Sequence, residues 1–385
     1  MTPTSTLDLG ILMSSLGMVR GGLETVAAQF AWALSERGHR VTVVAGRWPP
    51  HALPAATDLP LRWLRAPCVP AQLAAWRRLA CRRPAWPLKI QSLSFAYACR
   101  LHPAVRELIA RADVTLTFFE IETVLFSRWR RQHGQPHVSY FPGVIDWRWL
   151  QRDRSIVRVA ISQAIARRCQ GMPGLAIDGV VVPGVPDHWL DGPYVVRPEA
   201  RILIFVGRLE ANKGVLELLA IFEALAAEFP DLRLRIVGDG PLRQDLVARL
   251  ERAGLADRAT FLGAVPAERV QQELRAADLL VFPSHYESFG IAILEALAVG
   301  LPVVSSDLPA TREAAGDAGC LLPARSTALW VEAIRSLIGD LSARQQMSLA
   351  GRAHARAYTW RRAAAAMESY LYLARSRRVS WPEER

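Results

Sequence analysis

Short apolar segments alternate with helical stripes along this chain, and that alternation limits its fold more than any other feature. Leu7–Leu12 is an apolar segment, and after a loop rich in Gly, Ser and Arg the apolar residues between 26 and 34 recur at helical spacing. Gly38 ends this helix, and Arg40–Val44 has the pattern of a second strand. A strand, a helix and a strand in so few residues form a βαβ unit, whose strands must run parallel.

The same alternation predicts two domains. Further strands are predicted at Val114–Phe118, Val138–Phe141, Val157–Ile161 and Val180–Val182. Residues 183–193 are dense in Pro and Gly, as linkers are, and the alternation then restarts. The later strands are Ile202–Val206, Leu234–Val237, Ala259–Leu262, Leu279–Phe282 and Pro302–Ser305, and the helices are Gly214–Glu228, Leu242–Ala253, Ile291–Val299 and Trp360–Arg375. We therefore predict doubly wound α/β domains over 1–190 and 191–359, with a terminal helix and tail over 360–385 that packs back on the first domain.

Composition excludes several classes of protein. Hydrophobic residues make up 51% of the 385 positions and charged residues 22%, which suits packed cores. No uncharged apolar run reaches the roughly 18 residues of a spanning helix. The first residues contain Asp8 and no basic cluster, so they predict a strand and not a signal peptide. Five scattered cysteines form no C-x-x-C pair, which argues against a disulfide framework or zinc site and favours the cytoplasm.

The positive charge is confined to the first half. Residues 1–190 carry 23 Lys and Arg against 12 Asp and Glu, residues 191–385 carry 24 of each, and nine of the twelve Trp lie in the first half. Arg and Trp alternate between 62 and 106, in Arg128–Arg131 and in Trp147–Trp149. This pattern predicts peripheral binding of the first domain to the inner face of an anionic membrane. The alternative is an arginine-rich composition with Trp in the core, in keeping with only two lysines. No nucleic-acid-binding motif accompanies the charge, so nucleic acid is not a predicted partner.

A pair of cations stands where a strand gives way to a helix in the second half. Gly207 and Arg208 follow the predicted strand, and Lys213 precedes the predicted helix. Gly207 leaves room for a ligand beside the backbone, and a guanidinium, an ammonium and helix amides together suit a pyrophosphate. The alternative is a basic pair that is merely solvated.

A second motif begins another helix. Glu287 stands just before the helix, Phe289, Gly290 and Ile291 form its start, and Glu295 lies inside it. The free amides of a helix start favour an anion. Glu287 can accept hydrogen bonds from sugar hydroxyls, and Glu295 can accept them from the vicinal diol of a ribose. The alternative is that Glu287 caps the helix and Glu295 is a surface residue.

Several motifs, in order along nearly the whole chain, match one known family. They are Gly21–Glu24, Gly38–Val41, Ala160–Ile165, Val206–Arg208 with Lys213–Gly214, Val237–Pro241, Phe261–Gly263, and Glu287–Glu295 with the tail that ends at Val304. Single Gly-rich turns are weak signals, but the ordered set is specific. The chain resembles glycosyltransferase family 4, retaining enzymes of the glycosyltransferase group 1 type. The resemblance implies the GT-B fold, an α/β architecture in which two doubly wound Rossmann-like domains face each other across a cleft.

The resemblance implies a nucleotide-diphosphate sugar as the donor. Arg208 and Lys213 would neutralise the diphosphate as the glycosidic bond breaks, which is electrostatic stabilisation of a leaving group. The backbone amides of Phe289, Gly290 and Ile291 would bind the same phosphates. These groups do the work of a divalent cation, so the resemblance implies no metal and no other cofactor.

The resemblance also assigns the sugar contacts. Glu287 would hold the transferred sugar and act as a catalytic residue with the two cations, and Glu295 would bind the ribose. Gly21 and Gly22 would let the first domain approach the donor. The acceptor would be a hydroxyl of a lipid-linked or polysaccharide-precursor glycan, attacking on the face from which the diphosphate departs.

The chain departs from the family pattern at two places. Many members carry a His after the strand that corresponds to Val114–Phe118, whereas this chain has Glu120 there. Either Glu120 contacts the sugar or acceptor, or that role lies elsewhere. The second departure is Gly184, where the family often has Asn after the Pro, and we expect it to affect only the backbone turn.

Two other functions share this fold class. A dinucleotide-dependent oxidoreductase needs G-x-G-x-x-G after the first strand and an acidic residue after the second. The sequences here, Gly17–Gly22 and Ala45–Arg47, provide neither. A catalytically inactive GT-B-fold binding protein is the remaining alternative, because of the missing His.

Overall fold

The chain forms two units. The computed structural model describes residues 5–14, 22–46, 61–66, 86–118, 123, 126, 134–142, 155–192 and 194–377, with the side chains of 86–93 excepted. Unit 1 comprises Met1–Val182 and Ala363–Arg385, and unit 2 comprises Pro183–Arg362. The chain therefore passes between the units after Val182 and after Arg362, where the sequence predicted boundaries at 190 and 359.

Unit 1 contains a parallel sheet of seven strands. The strands are β1 Asp8–Met13, β2 Arg40–Ala45, β3 Leu61–Arg65, β4 Val114–Thr117, β5 His137–Phe141, β6 Ile156–Ala160 and β7 Gly179–Val180. Their order is β3-β2-β1-β4-β5-β6-β7. The helices described in this unit are α1 Gly22–Glu36, α2 Trp86–Leu101, α3 Pro103–Arg111 and α4 Gln163–Gln170.

Aromatic residues form the centre of the unit 1 core. Phe30 of α1 meets Tyr140 of β5 edge to face, with ring centroids 5.4 Å apart, and Phe118 meets the same tyrosine at 5.6 Å. The Tyr140 hydroxyl donates a hydrogen bond of 2.7 Å to the Val181 carbonyl. A buried phenol requires such a partner, and this one ties the core to the end of the sheet.

Unit 2 contains a parallel sheet of six strands. The strands are β8 Ile202–Val206, β9 Arg233–Val237, β10 Ala259–Gly263, β11 Leu279–Phe282, β12 Val303–Ser306 and β13 Cys320–Leu322, in the order β10-β9-β8-β11-β12-β13. The helices are α5 Val215–Glu228, α6 Arg243–Arg252, α7 Ala267–Arg275, α8 Ile291–Val299, α9 Pro309–Ala315, α10 Thr327–Gly339 and α11 Leu341–Ala355. All residues of β11 and β12 are buried, as expected for parallel strands covered on both faces. The doubly wound α/β prediction is confirmed for both sheets.

The last helix, α12 Trp360–Ser376, completes unit 1. Its Glu368 is nearly buried and accepts hydrogen bonds from Arg37 Nε at 2.8 Å and Arg37 Nη2 at 2.6 Å. His39 Nδ1 accepts a bond from the Leu7 amide, so its Nε2 carries the proton and donates to Glu368 at 2.8 Å. The helix is thereby tied to the turn between α1 and β2.

Among the helices within the described ranges, none is both long enough and apolar enough to span a membrane.

Candidate functional site

The predicted donor residues lie at the carboxyl ends of β8 and β11. These strands are neighbours in the unit 2 sheet, and the strand order reverses between them. In open α/β sheets a ligand binds outside the carboxyl ends of the strands at such a reversal, because the two loops diverge there. Residues 207–214 follow β8, and residues 283–290 follow β11. The fold therefore brings together two motifs that are far apart in sequence.

Close backbone contact joins these two loops. Gly214 has φ +66° at the start of α5, and a Cβ on it would overlap the carbonyl oxygen of Pro283. The His285 amide donates to the Asn212 carbonyl at 2.8 Å. Only glycine combines this backbone conformation with this approach, so Gly214 fixes the distance between the two loops.

Gly207 is held by the neighbouring loop, after β9. Its amide donates to the Val237 carbonyl at 2.9 Å, and the Leu209 amide donates to the Asp239 carbonyl at 3.0 Å. Gly238, with φ +131°, approaches Gly207 so closely that a Cβ on Gly238 would overlap the Gly207 carbonyl oxygen. The small size of the glycines thus has a packing role here in addition to the predicted room for a ligand.

Lys213 and Glu287 form an ion pair across the two loops. Lys213 Nζ lies 2.7 Å from Glu287 Oε1, and the Glu287 side chain is only 8% exposed. A carboxylate this shielded needs a partner, because an unpaired buried charge is costly. An ammonium has three N–H donors, so Lys213 keeps donors for a second anion while it holds Glu287.

Arg208 is the most accessible charge of the site. Its side chain is 55% exposed, and Nη2 donates to Glu210 Oε2 at 2.8 Å. The guanidinium carries five N–H donors in a planar fork that matches a phosphate. Sequence reasoning did not identify Glu210, and its place two residues after Arg208 was the available signal.

Glu295 lies on α8 without a charged partner among the described residues. Its side chain is partly accessible, but the surrounding protein atoms are dense enough that desolvation raises its pKa to about 8. Carboxylic acids with such shifts are concentrated at functional sites, because stability alone does not favour them. The carboxyl group retains its full capacity to accept hydrogen bonds from a ligand.

The start of α8 presents backbone amides. Gly290 precedes the helix with φ +102°, and the carbonyl of Gly290 accepts from the Ile293 amide at 3.0 Å. Within the described part of the chain, the amides of Phe289, Gly290 and Ile291 donate to no protein acceptor. They are available to an anion at the positive end of the helix dipole.

Two further polar residues of the β11 loop escaped sequence analysis. The hydroxyl of Ser284 is buried, and no described residue bonds to it. His285 Nε2 lies 3.0 Å from Glu217 Oε1, without the alignment of a hydrogen bond. His285 could have been suspected from its place two residues before Glu287.

The predicted residues of unit 1 fall mostly outside the described ranges. Gly22 is the first residue of α1, and Gly21 and Glu120 lie outside the described residues. Most of the Arg and Trp residues of the predicted membrane surface lie there too. No group of three or more His, Cys, Asp or Glu that could bind a metal occurs among the residues described.

Comparison with known proteins identifies the family of this chain. The family described as glycosyl transferases group 1 matches residues 192–354, and the one described as Glycosyltransferase Family 4 matches residues 20–174. The chain is 30% identical to phosphatidyl-myo-inositol mannosyltransferase of Mycobacterium leprae over 369 residues, which covers 89% of this chain and 90% of the relative. It is 36% identical to D-inositol 3-phosphate glycosyltransferase of Nocardia farcinica over 185 residues, 46% of this chain, and spans only 41% of that relative.

A solved structure shares the fold. HepE of Anabaena, in complex with UDP-glucose, superposes with a TM-score of 0.69 at 18% identity, over 94% of this chain and 99% of HepE. Because one relative is matched over nine-tenths of its length and the family models match in both halves, the chain belongs to glycosyltransferase family 4, of the group 1 type, and has the GT-B fold.

Proposed function

We propose that this protein is a retaining glycosyltransferase that transfers a sugar from a nucleotide-diphosphate sugar to an acceptor hydroxyl. The observation that supports this most is the group of two cations, two carboxylates and free helix amides at the strand-order reversal of unit 2. HepE, which shares the fold, binds UDP-glucose. A diphosphate donor matches the cations and amides, and a sugar and a ribose match the carboxylates.

The leaving group is the donor diphosphate. Arg208 and Lys213 bind it together with the amides of Phe289, Gly290 and Ile291. Negative charge accumulates on the diphosphate as its bond to the anomeric carbon breaks, and donors fixed before the reaction stabilise that charge without reorganising. In this proposal no divalent metal is required.

The two carboxylates orient the rest of the donor. Glu287, already fixed by Lys213, accepts hydrogen bonds from the transferred sugar. Glu295 accepts them from the ribose diol. Gly21 and Gly22 let the backbone of unit 1 approach the donor, and Glu120 is a candidate contact for the sugar or acceptor.

Retention follows from attack on the face from which the diphosphate leaves. The acceptor oxygen forms the new bond to the anomeric carbon while the bond to the diphosphate oxygen breaks. That departing oxygen takes the proton of the acceptor hydroxyl, so no protein base is required. This step rests on the family and not on the position of a side chain.

The acceptor in this proposal is a lipid-linked or polysaccharide-precursor glycan. The relative from Mycobacterium leprae is named for phosphatidyl-myo-inositol, a lipid. In unit 1, Tyr97 and Leu101 are 66% and 63% exposed on one face of α2, with exposed Arg100 beside them. An aromatic, an aliphatic and a cationic side chain on one helix face suit an anionic membrane surface.

Sedimentation with lipid vesicles tests the proposed binding to a membrane. At low salt, vesicles with anionic lipid should sediment the protein, neutral vesicles should not, and a Tyr97→Ser/Leu101→Ser variant should bind more weakly. Equal sedimentation with neutral and anionic vesicles would contradict the preference for an anionic surface, and no sedimentation with either would contradict membrane binding.

Thermal unfolding with nucleotides tests the donor site. UDP, GDP, ADP and their hexose esters are added to the protein and to the Arg208→Ala and Glu295→Ala variants. A ligand at a hundredfold excess over its dissociation constant stabilises the folded state by about 2.7 kcal/mol. We expect one nucleotide to raise the midpoint of the parent protein and to lose most of that effect in both variants. No shift with any nucleotide would overturn the donor site and favour the inactive binding protein.

A further inference from the structure

Phe289 lies in the loop whose amides are proposed to bind the diphosphate, and its ring packs against that of a tyrosine. Its side chain is only 1% exposed, and its ring centroid lies 6.4 Å from that of Tyr358 at an interplanar angle of 45°. The ring of Tyr358, which lies just before α12 and takes no part in the donor contacts proposed above, therefore packs against the side chain of this loop residue.

A second set of contacts extends from Tyr358 through His354 and Ala314 toward the same loop. The ring of His354 lies 4.9 Å from that of Tyr358, and His354 Nε2 donates to the Ala314 carbonyl at 3.1 Å. Burial lowers the pKa of His354, so a neutral ring with its proton on Nε2 fits this bond. Ala314 Cβ in turn lies 3.7 Å from where a Cβ on Gly290 would be. Tyr358 and His354 thus contact one another, Tyr358 contacts the Phe289 ring, and His354 contacts the segment that lies beside Gly290.

The backbone of Tyr358 holds the connector between the units. Its carbonyl accepts a hydrogen bond from the Val185 amide at 3.0 Å, and the Trp360 amide donates to the Val185 carbonyl at 3.3 Å. Gly184 approaches so closely that a Cβ on it would overlap the backbone of Thr359. All of these residues belong to unit 2 and adjoin the two points where the chain passes into unit 1.

We propose that Tyr358 is a positioning residue that couples the donor diphosphate to the connector segments 183–186 and 358–360. Its ring supports Phe289 and its carbonyl holds Val185, so diphosphate binding at the loop restricts motion of the connector. This inference rests on the proposed donor site. The side chain touches neither donor nor acceptor, and its effect passes through Phe289.

Two substitutions test this role, one that removes the aromatic ring of Tyr358 and one that keeps it. Tyr358→Met keeps an apolar side chain and loses the ring, whereas Tyr358→Phe keeps the ring. We expect the dissociation constant for the nucleoside diphosphate and the KM for the nucleotide sugar to rise about tenfold in Tyr358→Met, with kcat reduced less. That fold-change corresponds to about 1.4 kcal/mol, in the range of one aromatic contact with its burial. Tyr358→Phe should stay within about twofold of the parent protein.

Hydrogen exchange reports on the connector itself. Adding the nucleoside diphosphate should slow amide exchange in peptides covering 183–186 in the parent protein and in Tyr358→Phe, but not in Tyr358→Met. Leu349→Ala, at an exposed position of α11, the helix that carries His354, is the control and should behave as the parent does. If Tyr358→Met does not fold, His354→Met removes the neighbouring ring and should give a smaller effect of the same kind.

Two outcomes overturn the inference. The first is nucleotide binding with unchanged connector exchange in the parent protein, and the second is equal binding and exchange in Tyr358→Met and the parent. Either would leave the donor site intact. Absence of nucleotide binding by the parent protein would instead overturn the donor site, and this inference with it.

Discussion

Glu287 and Glu295 lie in opposite electrostatic settings. Glu287 has an ammonium nitrogen 2.7 Å away, whereas Glu295 has no charged partner among the described residues and a pKa raised to about 8. A raised folded-state pKa means that the protonated form stabilises the fold at low pH, and that this stabilisation is lost as the pH rises through about 8. Glu295 is therefore the group of the site whose protonation state a bound ligand can change most.

Donor binding at pH 7 should release a proton from Glu295. Hydrogen bonds from the ribose diol favour the carboxylate and lower its pKa, so the proton leaves when the donor binds. Calorimetry in two buffers of different ionisation enthalpy measures the release. Glu295→Gln should bind more weakly with no release, and identical enthalpies for the parent protein in both buffers would contradict the prediction.

Glu210 should weaken diphosphate binding, because its carboxylate occupies Arg208 and repels phosphate. Exposed ion pairs contribute about 0.2–1 kcal/mol, so Glu210→Gln should tighten nucleoside diphosphate binding by up to about fivefold. Calorimetric titration measures the change, with Arg208→Ala/Glu210→Gln against Arg208→Ala as the control, where a smaller gain is expected because only the repulsion is removed. Weaker binding by Glu210→Gln would show that Glu210 aids the ligand.

At the scale of elements, the loops after β8, β9 and β10 interlock through glycines. Gly238 approaches the Gly207 carbonyl, and its amide donates to the Gly263 carbonyl at 2.8 Å. A Cβ on Gly240 would come too close to the backbone of Leu209. Backbone contacts therefore hold the segment that carries Arg208, together with the buried side chain of Leu209.

Gly238→Ala should be far more disruptive than Gly254→Ala. Both glycines have positive φ, +131° and +68°, but only Gly238 has backbone within reach of an added Cβ. Backbone strain of a non-glycine residue at positive φ costs about 1–3 kcal/mol at either position. At Gly238 the overlap of the new Cβ with the Gly207 carbonyl oxygen adds to this cost and displaces the Arg208 loop. Urea unfolding and nucleotide binding measure the two effects. Equal destabilisation with binding retained in Gly238→Ala would contradict the interlock.

Elements made of large apolar residues were predictable from sequence. The bounds predicted for β8, β11 and α8 agree with the structure, because buried parallel strands appear as apolar runs and Gly290 and Gly300 flank the helix. β3 was missed because its alternation is interrupted by Arg62 and Arg65. α11 was missed because its buried positions are Arg344, Ser348, Gly351 and Ala355, which make no apolar stripe.

Sequence predicts the proposed donor residues one by one, but it does not predict their pairings. Sequence indicated the cations and the carboxylates separately, and the Lys213–Glu287 pair joins positions 74 residues apart. The role of Gly184 was also underestimated, since the expected turn proves to be a close contact with Thr359 that excludes any side chain. Such approaches depend on the tertiary structure, which one sequence does not disclose.

At the scale of the whole molecule, unit 1 depends on a helix that follows unit 2 in sequence. Burial acts to raise the pKa of Glu368, but the hydrogen bonds from Arg37 and His39 outweigh it and leave the pKa lowered. A lowered pKa contributes stability above the ordinary carboxyl pKa, and this contribution is lost as the pH falls through the folded-state value.

Glu368→Gln should destabilise unit 1 selectively. It removes the charge and one of the two oxygens that accept from Arg37, and should cost about 1.5–3 kcal/mol at pH 7, and less in acid, where the parent protein also loses its charge. Hydrogen exchange at pH 7 should show faster opening of β1 and β2 with β8 and β11 unchanged. Arg335→Gln, which loses an exposed pair with Glu228, is the control, and equal opening of both units would contradict the prediction.

The divided sequence of unit 1 also sets the order in which the chain can fold as it leaves the ribosome. Unit 2 is continuous over 183–362 and can fold as soon as it has emerged from the ribosome. The first segment of unit 1 emerges earlier. Arg37 and His39 can pair with Glu368 only after the whole of unit 2 has been synthesised. Unit 1 therefore lacks its last helix throughout synthesis of unit 2, and its last folding step is the docking of α12.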